Sequence, residues 1–206
     1  MKKRPRPPKA VIFDMDGTIT RPYLDFAKIK REIGAKDSAI LEFLATLTGD
    51  ALRRAREKVD AWEREGAEAS TLNPGVRELL ALLKERGIPT AILTRNTRES
   101  VDVVTRKHGL SFDVIVTADD ALAPKPSPEP VRHIAKALGV DPRETWVVGD
   151  FRFDIESGRA AGATTVFVRT NQAPGVTPRT ETLDDGGADF VCDGLAQVLE
   201  ILKRSR

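Results

Sequence analysis

Four aspartates occur in this chain as two closely spaced pairs, Asp14 with Asp16 and Asp150 with Asp154. Carboxylates that crowd together in a partly dry cleft repel one another, and a hard divalent cation relieves that repulsion. A site made of oxygen ligands and rich in carboxylates suits Mg²⁺. If the fold brings the two pairs together, they predict a magnesium site.

Lys125 and Thr94 add groups that bind phosphate, the anion that best fits such a metal site. The lysine supplies a positive charge, the threonine supplies a hydroxyl donor, and the turn at Asp16 and Gly17 exposes backbone N–H groups. With the phosphate charge offset, one carboxylate can attack phosphorus and form an aspartyl phosphate. A second carboxyl, held protonated, can donate to the leaving alkoxide, provided that the two environments separate the pKa values.

Short apolar runs and helical patterns alternate along most of the chain. The strand-like runs are 10–13, 90–93, 114–116, 146–148, 165–168 and 189–191. The helical patterns between and after them cover about 76–86, 98–107, 129–138, 154–161 and 195–203. This alternation predicts an α/β fold, a doubly wound and mainly parallel sheet. Ligands bind outside the carboxyl ends of strands in such sheets, so we expect Asp14, Thr94 and Asp150 at one edge.

Residues 21–72 break the alternation, because they show helical patterns and no strand pattern. Three helices are predicted there, around 26–33, 40–47 and 52–64. We therefore predict a helical insertion at 21–72, with a core domain formed by 10–20 and 73–206. Residues 1–9 carry five positive charges and three prolines and are predicted to be a flexible basic tail. The turn residues of 171–187 predict a loop.

Composition and charge exclude several classes of protein. The 206 residues are 40% hydrophobic and 31% charged, with a net charge of +2, so whole-molecule attraction to nucleic acid is weak. No run approaches the roughly 18 apolar residues of a membrane span. The single cysteine, Cys192, excludes an intrachain disulfide and is predicted to be buried and apolar in character. We expect a cytoplasmic protein with no specific nucleic-acid or membrane partner, and the sequence leaves monomer and homodimer open.

Four segments resemble, in order, the motifs of the haloacid dehalogenase-like (HAD) hydrolases, in the branch that contains the phosphoglycolate phosphatases. The segments are Asp14–Thr18, Thr94, Lys125 and Gly149–Asp154. The resemblance covers the chain from about Ala10 to Leu202. It implies a Rossmann-like core and a small α-helical cap inserted after the first strand, where residues 21–72 lie.

The resemblance also implies a role for each matching residue. Asp14 would be the nucleophile and Asp16 the general acid/base, while Thr94 and Lys125 would hold the phosphoryl group. Mg²⁺ would be bound by the side chains of Asp14 and Asp150 and the backbone carbonyl of Asp16, with Asp154 at or just behind the metal. The expected substrate contacts are Gly17, Thr18, Arg21, Arg95 and Asn96, with Tyr23 and Lys28 as further candidates near the start of the insertion.

These implications favour an Mg²⁺-dependent phosphatase acting on a small organic phosphomonoester. An acid/base two residues after the nucleophile favours phosphoryl transfer over dehalogenation. A sugar phosphomutase would use the same core, but it must reorient a bisphosphate beneath its cap, and the insertion is short for that. The third alternative is a non-catalytic binding protein on the same fold, which the complete residue set opposes. Arg95 remains open between a substrate contact and a solvent-facing side chain.

Overall fold

One six-stranded parallel sheet organises the protein. The structure, a computed structural model, describes residues 7–169 and 185–205, so most of the predicted tail 1–9 and most of the predicted loop 171–187 lie outside the described residues. The strands are β1 (Ala10–Phe13), β2 (Thr90–Leu93), β3 (Val114–Val116), β4 (Thr145–Gly149), β5 (Thr164–Val168) and β6 (Phe190–Cys192). The predicted mainly parallel sheet is confirmed, since all its described pairings are parallel.

The strand order is β3-β2-β1-β4-β5-β6, so the chain moves outward from β1 in both directions. Val11 of β1 is in register with Thr90 of β2 on one side and with Trp146 of β4 on the other. In open sheets of this kind, ligands bind where the order reverses, outside the carboxyl ends of the strands. Here that position lies beyond β1, β2 and β4.

Helices cover both faces of the sheet. The helices on the sheet are α4 (Val76–Glu85), α5 (Arg98–His108), α6 (Glu129–Ala137), α7 (Arg152–Ala161) and α8 (Leu195–Arg204). Three further helices precede them in the chain, α1 (Phe26–Ile33), α2 (Ile40–Leu44) and α3 (Gly49–Ala69). Across the described ranges, none of these helices is both long and apolar enough to cross a membrane.

The two faces of the sheet bury separate cores, because successive side chains of a strand point in opposite directions. Val11 and Phe13 pack in one cluster with α4 and α8, and Cys192 is fully buried in the same cluster, as predicted. Ile12 packs in a second cluster with Val131 and Ile134 of α6. Continuous apolar strands are the expected consequence of burial on both faces.

The insertion, residues 21–72, forms α1, α2 and α3 with an apolar core of its own. Its α3 is longer than the predicted 52–64, and at its last turn Gly66 lets Leu24 approach closely: a Cβ at Gly66 would lie 2.8 Å from Leu24 Cδ2. Its α2 ends at Leu44 and is shorter than predicted. The chain leaves and returns side by side, since Thr20 and Leu72 form an antiparallel bridge.

Candidate active site

The side chain of Lys125 connects the ends of the central strands. Its Nζ lies 2.7 Å from Asp14 Oδ1, 2.6 Å from Asp154 Oδ1 and 2.8 Å from the carbonyl oxygen of Leu93. Asp14 directly follows β1, Leu93 ends β2, and Asp154 lies in the first turn of α7, which follows β4. Lys125 is 3% exposed. One buried ammonium therefore brings together residues from three chain segments.

The charges of this group depend on one another. Burial disfavours the charge on Lys125, but Asp14 and Asp154 outweigh that effect and raise the pKa of the lysine. For Asp154, burial is the largest influence and raises the pKa to about 6, although Lys125 acts in the opposite direction. The two carboxyl groups therefore favour the charged ammonium of Lys125.

Asp14, Asp150 and Asp154 form an acidic cluster with the chemistry of a metal site. Each offers a carboxylate oxygen, and these oxygens lie within 4.8 Å of one another. Two glycines make room for them: a Cβ at Gly17 would lie 2.1 Å from Asp150 Oδ2, and a Cβ at Gly149 would lie 2.3 Å from Asp154 Cγ. An all-oxygen donor set of this kind fits a hard cation such as Mg²⁺.

The side chain of Asp16 is not part of that cluster within the described residues. Its Oδ2 accepts a hydrogen bond of 2.5 Å from Asn96 Nδ2, and its Oδ1 accepts one of 3.0 Å from Thr20 Oγ1. Asp16 thus has different partners from Asp14, although the two are separated by one residue. This separation gives the two carboxyls the distinct surroundings that different roles require.

A cavity of about 620 Å³ lies between the insertion and this edge of the sheet. From the core it is lined by Asp14, Asp16, Thr94, Arg95, Asn96, Lys125, Phe151, Arg152, Phe153 and Asp154. From the insertion, its charged lining residues are Lys30, Arg31, Lys36, Asp37 and Glu63. The predicted catalytic residues therefore share one cavity with cations and acids of the insertion.

Several predicted substrate contacts have other surroundings. Arg21 is exposed and does not line the cavity, because it lies where the chain enters the insertion and its backbone pairs with Thr71. Tyr23 donates a hydrogen bond of 3.1 Å to Glu65. Lys28 lies 4.4 Å above the ring of Trp62. The cations that the insertion contributes to the cavity are instead Lys30, Arg31 and Lys36.

Gly17 and Thr18, also predicted as substrate contacts, do not line the cavity and contact Asp150. Thr18 is fully buried, and its Oγ1 lies 3.3 Å from Asp150 Oδ1. Gly17 has a φ of 96°, and only a residue without a Cβ allows Asp150 so close. Both residues therefore position the acidic cluster.

Arg95 neither points freely into solvent nor is available as an unpaired cation. Its Nη1 donates to Glu42 Oε1 at 3.0 Å, and it also donates to the carbonyl of Lys125. Its guanidinium lies 5.1 Å from the ring centre of Phe153. Since Glu42 belongs to α2, Arg95 links the insertion to the edge of the sheet.

Two residues at the candidate site are not among those predicted from the sequence. The side-chain nitrogen of Asn73, Nδ2, lies within 3.0 Å of the backbone carbonyl oxygens of Gly17, Thr18 and Thr20. These contacts hold the loop after β1 in place. In the sequence, Asn73 before Pro74 and Gly75 indicates only a helix start. The second position is Glu63 of α3, a buried cavity residue that looks like any acid on a charged helix.

Comparisons with known proteins agree with this geometry. The family model described as haloacid dehalogenase-like hydrolase matches residues 8–162. An uncharacterized hydrolase of Saccharomyces cerevisiae is 31% identical, with 95% of this chain and 91% of the relative covered. A phosphoglycolate phosphatase of Chromobacterium violaceum is 28% identical, with 95% and 96% covered. A crystal structure of a hydrolase from Pseudomonas syringae has a TM-score of 0.77 at 25% identity, with 96% and 98% covered. The chain belongs to the haloacid dehalogenase-like hydrolases.

Proposed function

We propose that this protein is an Mg²⁺-dependent phosphatase that hydrolyses a small organic phosphomonoester in the cavity beneath the insertion, which acts as its cap. The observation that carries the proposal is the hydrogen bonding of one buried lysine to Asp14 and to Asp154, beside Asp150. A relative that shares 28% of its residues, and almost its full length, is named as a phosphoglycolate phosphatase. That relationship supports a phosphomonoester as the substrate class.

In the first step, Asp14 attacks phosphorus. A bond forms between a carboxylate oxygen of Asp14 and phosphorus, and the bond from phosphorus to the alcohol oxygen breaks. Asp16 donates its proton to that oxygen as the alcohol leaves. Asn96 and Thr20 hold the Asp16 carboxyl in place for this transfer. The Lys125 ammonium offsets the negative charge of the phosphoryl group, and the Thr94 hydroxyl donates a hydrogen bond to that group.

In the second step, water attacks phosphorus and the bond to Asp14 breaks. Asp16 takes a proton from the water, which restores both carboxyls and releases inorganic phosphate. Asp14 thus acts only as the nucleophile, and Asp16 acts only in proton transfer, first as the acid and then as the base. Their different hydrogen-bond partners in the structure support this division of labour.

The side chains of Asp14 and Asp150 and the backbone carbonyl of Asp16 would hold Mg²⁺. The bound cation would neutralise carboxylate and phosphoryl charge during attack. Asp154 would orient the site from behind, because its Oδ1 accepts from Lys125 and its Oδ2 accepts from the backbone of Phe151 at 3.1 Å. Thr18 and Gly17 would keep Asp150 in place.

The insertion would select the substrate, since the core residues contact only the phosphoryl group. Lys30, Arg31 and Lys36 face the cavity, opposed by Asp37 and Glu63. The excess of positive charge favours an anionic substrate. Enclosure by the insertion would also exclude water from the leaving group.

A phosphatase assay with an Asp14→Asn variant tests this proposal. The wild-type protein is expected to release p-nitrophenol from p-nitrophenyl phosphate with added Mg²⁺ and to stop when the metal is chelated. Asp14→Asn should lose at least about a thousandfold in kcat/KM, because the nucleophile is removed. Asp102→Asn, an exposed change on α5, serves as the matched control. Equal activity in wild type and Asp14→Asn, or interconversion of sugar phosphates without net hydrolysis, would contradict the proposal.

A further inference from the structure

Glu63 is a buried acid in the cavity to which the proposed reaction gives no role. It belongs to α3 of the insertion, it is 8% exposed, and it lines the cavity. Burying a carboxyl group is costly unless its oxygens find partners. A buried acid at this position therefore needs an explanation.

Its contact with Thr97 explains only part of its hydrogen-bonding capacity. The backbone nitrogen of Thr97 lies 2.9 Å from Glu63 Oε2. Within the described ranges, no residue other than Thr97 donates a hydrogen bond to this carboxyl. An ionised carboxylate offers about four acceptor positions. A neutral glutamine would satisfy Thr97 equally well and at a lower cost of burial, so the connection between α3 and the start of α5 does not by itself account for an acid.

Glu63 is connected through Thr97 and Asn96 to the part of the cavity where Asp16 lies. Asn96, the residue before Thr97, donates to Asp16, the proposed acid/base. Asp16 and Glu63 also line the same cavity. A group bound to Glu63 would therefore lie close to the alcohol oxygen that Asp16 protonates. In a phosphomonoester, this places it on the leaving alcohol, near the ester bond.

We propose that Glu63 accepts a hydrogen bond from a hydroxyl group of the leaving alcohol, so that the protein selects phosphomonoesters of hydroxylated alcohols over those of plain alcohols. This inference rests on the proposed phosphatase function. An ammonium donor is disfavoured, because Lys30, Arg31 and Lys36 already bring positive charge to the cavity. Glu63 is thus a specificity-determining residue supplied by the insertion.

The test compares two esters with the same carbon chain, glycerol 1-phosphate and 1-propyl phosphate, at pH 8 with Mg²⁺. The wild-type protein is expected to favour glycerol 1-phosphate by at least about tenfold in kcat/KM, the effect of one hydrogen bond to a charged group. Glu63→Gln should reduce this preference about tenfold and change kcat/KM for propyl phosphate by less than about threefold. The amide can still accept from Thr97, but it then presents its NH₂ group to the cavity. Glu65→Gln, an exposed change on the same helix, should keep the wild-type ratio.

Two results would overturn the inference, and neither depends on the proposed function failing. One is a wild-type protein that hydrolyses both esters equally well, which needs no variant. The other is a Glu63→Gln protein that loses activity on both esters by the same factor, as a purely structural role predicts. If the wild-type protein hydrolyses neither ester and also fails with p-nitrophenyl phosphate, the proposed function itself is wrong and the inference falls with it.

Discussion

At the scale of single residues, the candidate site is a balance of buried charges. Lys125 has nearly no exposure and contacts two carboxylates that are themselves buried. Removing one member of such a group leaves an uncompensated charge inside the protein, which is far more costly than losing an exposed ion pair. The positions that we propose for phosphoryl chemistry are therefore also positions on which stability is expected to depend.

The raised pKa of Glu63 leads us to expect that the stability of the protein depends on pH. Burial raises the pKa of Glu63 to about 7, and Asp16 and Asp60 add to this effect, while Thr97 opposes it. Between the ordinary pKa of a glutamate and pH 7, the folded protein binds more protons at this residue than the unfolded chain does. The contribution of Glu63 is therefore favourable at low pH and is lost as the pH rises through that range.

We expect the stability difference between wild type and Glu63→Gln to change between pH 5 and pH 8. The wild type should lose on the order of 2–3 kcal/mol relative to the variant over this range, because glutamine does not titrate. Urea denaturation at several pH values measures this difference. Glu65→Gln should track the wild type at every pH, and parallel curves for wild type and Glu63→Gln would show that Glu63 does not titrate in this range.

The sequence identified the residues that follow strands and missed those that act across the fold. Asp14, Thr94 and Asp150 could be placed at one edge because parallel strands end there. Asn73 and Glu63 contact the site from distant parts of the chain, and the local sequence pattern around each residue does not indicate such a contact. The partner of Arg95 was equally hidden, since Glu42 is 53 residues away and lies on another helix.

At the scale of elements, the loop after β1 depends on a glycine for two separate reasons. Gly17 has a φ of 96°, which disfavours any residue with a Cβ, and its position lies against the carboxylate of Asp150. Gly34, which follows α1, has a φ of 82°, but a Cβ added at this position would have no neighbouring atom within 4 Å. A comparison of Gly17 with Gly34 therefore distinguishes the effect of backbone strain from the effect of crowding by a neighbouring side chain.

We expect Gly17→Ala to abolish Mg²⁺-dependent activity and Gly34→Ala to preserve it. Gly34→Ala should cost roughly 1 kcal/mol of stability from backbone strain alone. Gly17→Ala should cost more, because the new methyl group must also displace Asp150. Denaturant unfolding and calorimetric Mg²⁺ titration of both variants measure the two effects. Equal Mg²⁺ affinity in the two variants would show that Asp150 tolerates displacement.

The elements themselves could largely be predicted from hydrophobic pattern and turn residues. The strands of the sheet and the helices around it follow from apolar runs and from the glycines that end helices, such as Gly109 after α5 and Gly162 after α7. Helix lengths in the insertion were less accurate. Those ends depend on packing within the insertion, such as the approach of Leu24, which precedes α1, to Gly66 of α3, and a local pattern does not contain such contacts.

At the scale of the whole molecule, polar contacts join the insertion to the core around the cavity. Arg95 of the core pairs with Glu42 of α2, and Arg64 of α3 pairs with Glu99 of α5 at 3.0 Å. Exposed and half-exposed ion pairs contribute little to stability, typically about 1 kcal/mol or less. We therefore expect these ion pairs to affect the position of the insertion over the cavity more than the stability of the fold.

We expect Glu42→Gln to lower kcat/KM for phosphomonoesters by about three- to tenfold while changing the free energy of unfolding by less than about 1 kcal/mol. Without the ion pair the insertion opens more readily, and water reaches the leaving group. Glu57→Gln is the control, because it breaks an exposed ion pair with Arg53 that lies within α3. Steady-state phosphate release and hydrogen exchange across α2 are the measurements. Unchanged exchange and unchanged kcat/KM would rule out a restraining role for Glu42.

The bridge between Thr20 and Leu72 has a consequence for how this protein can diverge or be redesigned. Because the two ends of the insertion lie side by side, a replacement segment needs only two neighbouring termini to be spliced there. Its length and fold are otherwise unconstrained by the sheet. Transplanting a segment from a relative into this junction is then a direct route to chimeric proteins with altered preferences and the same hydrolytic machinery.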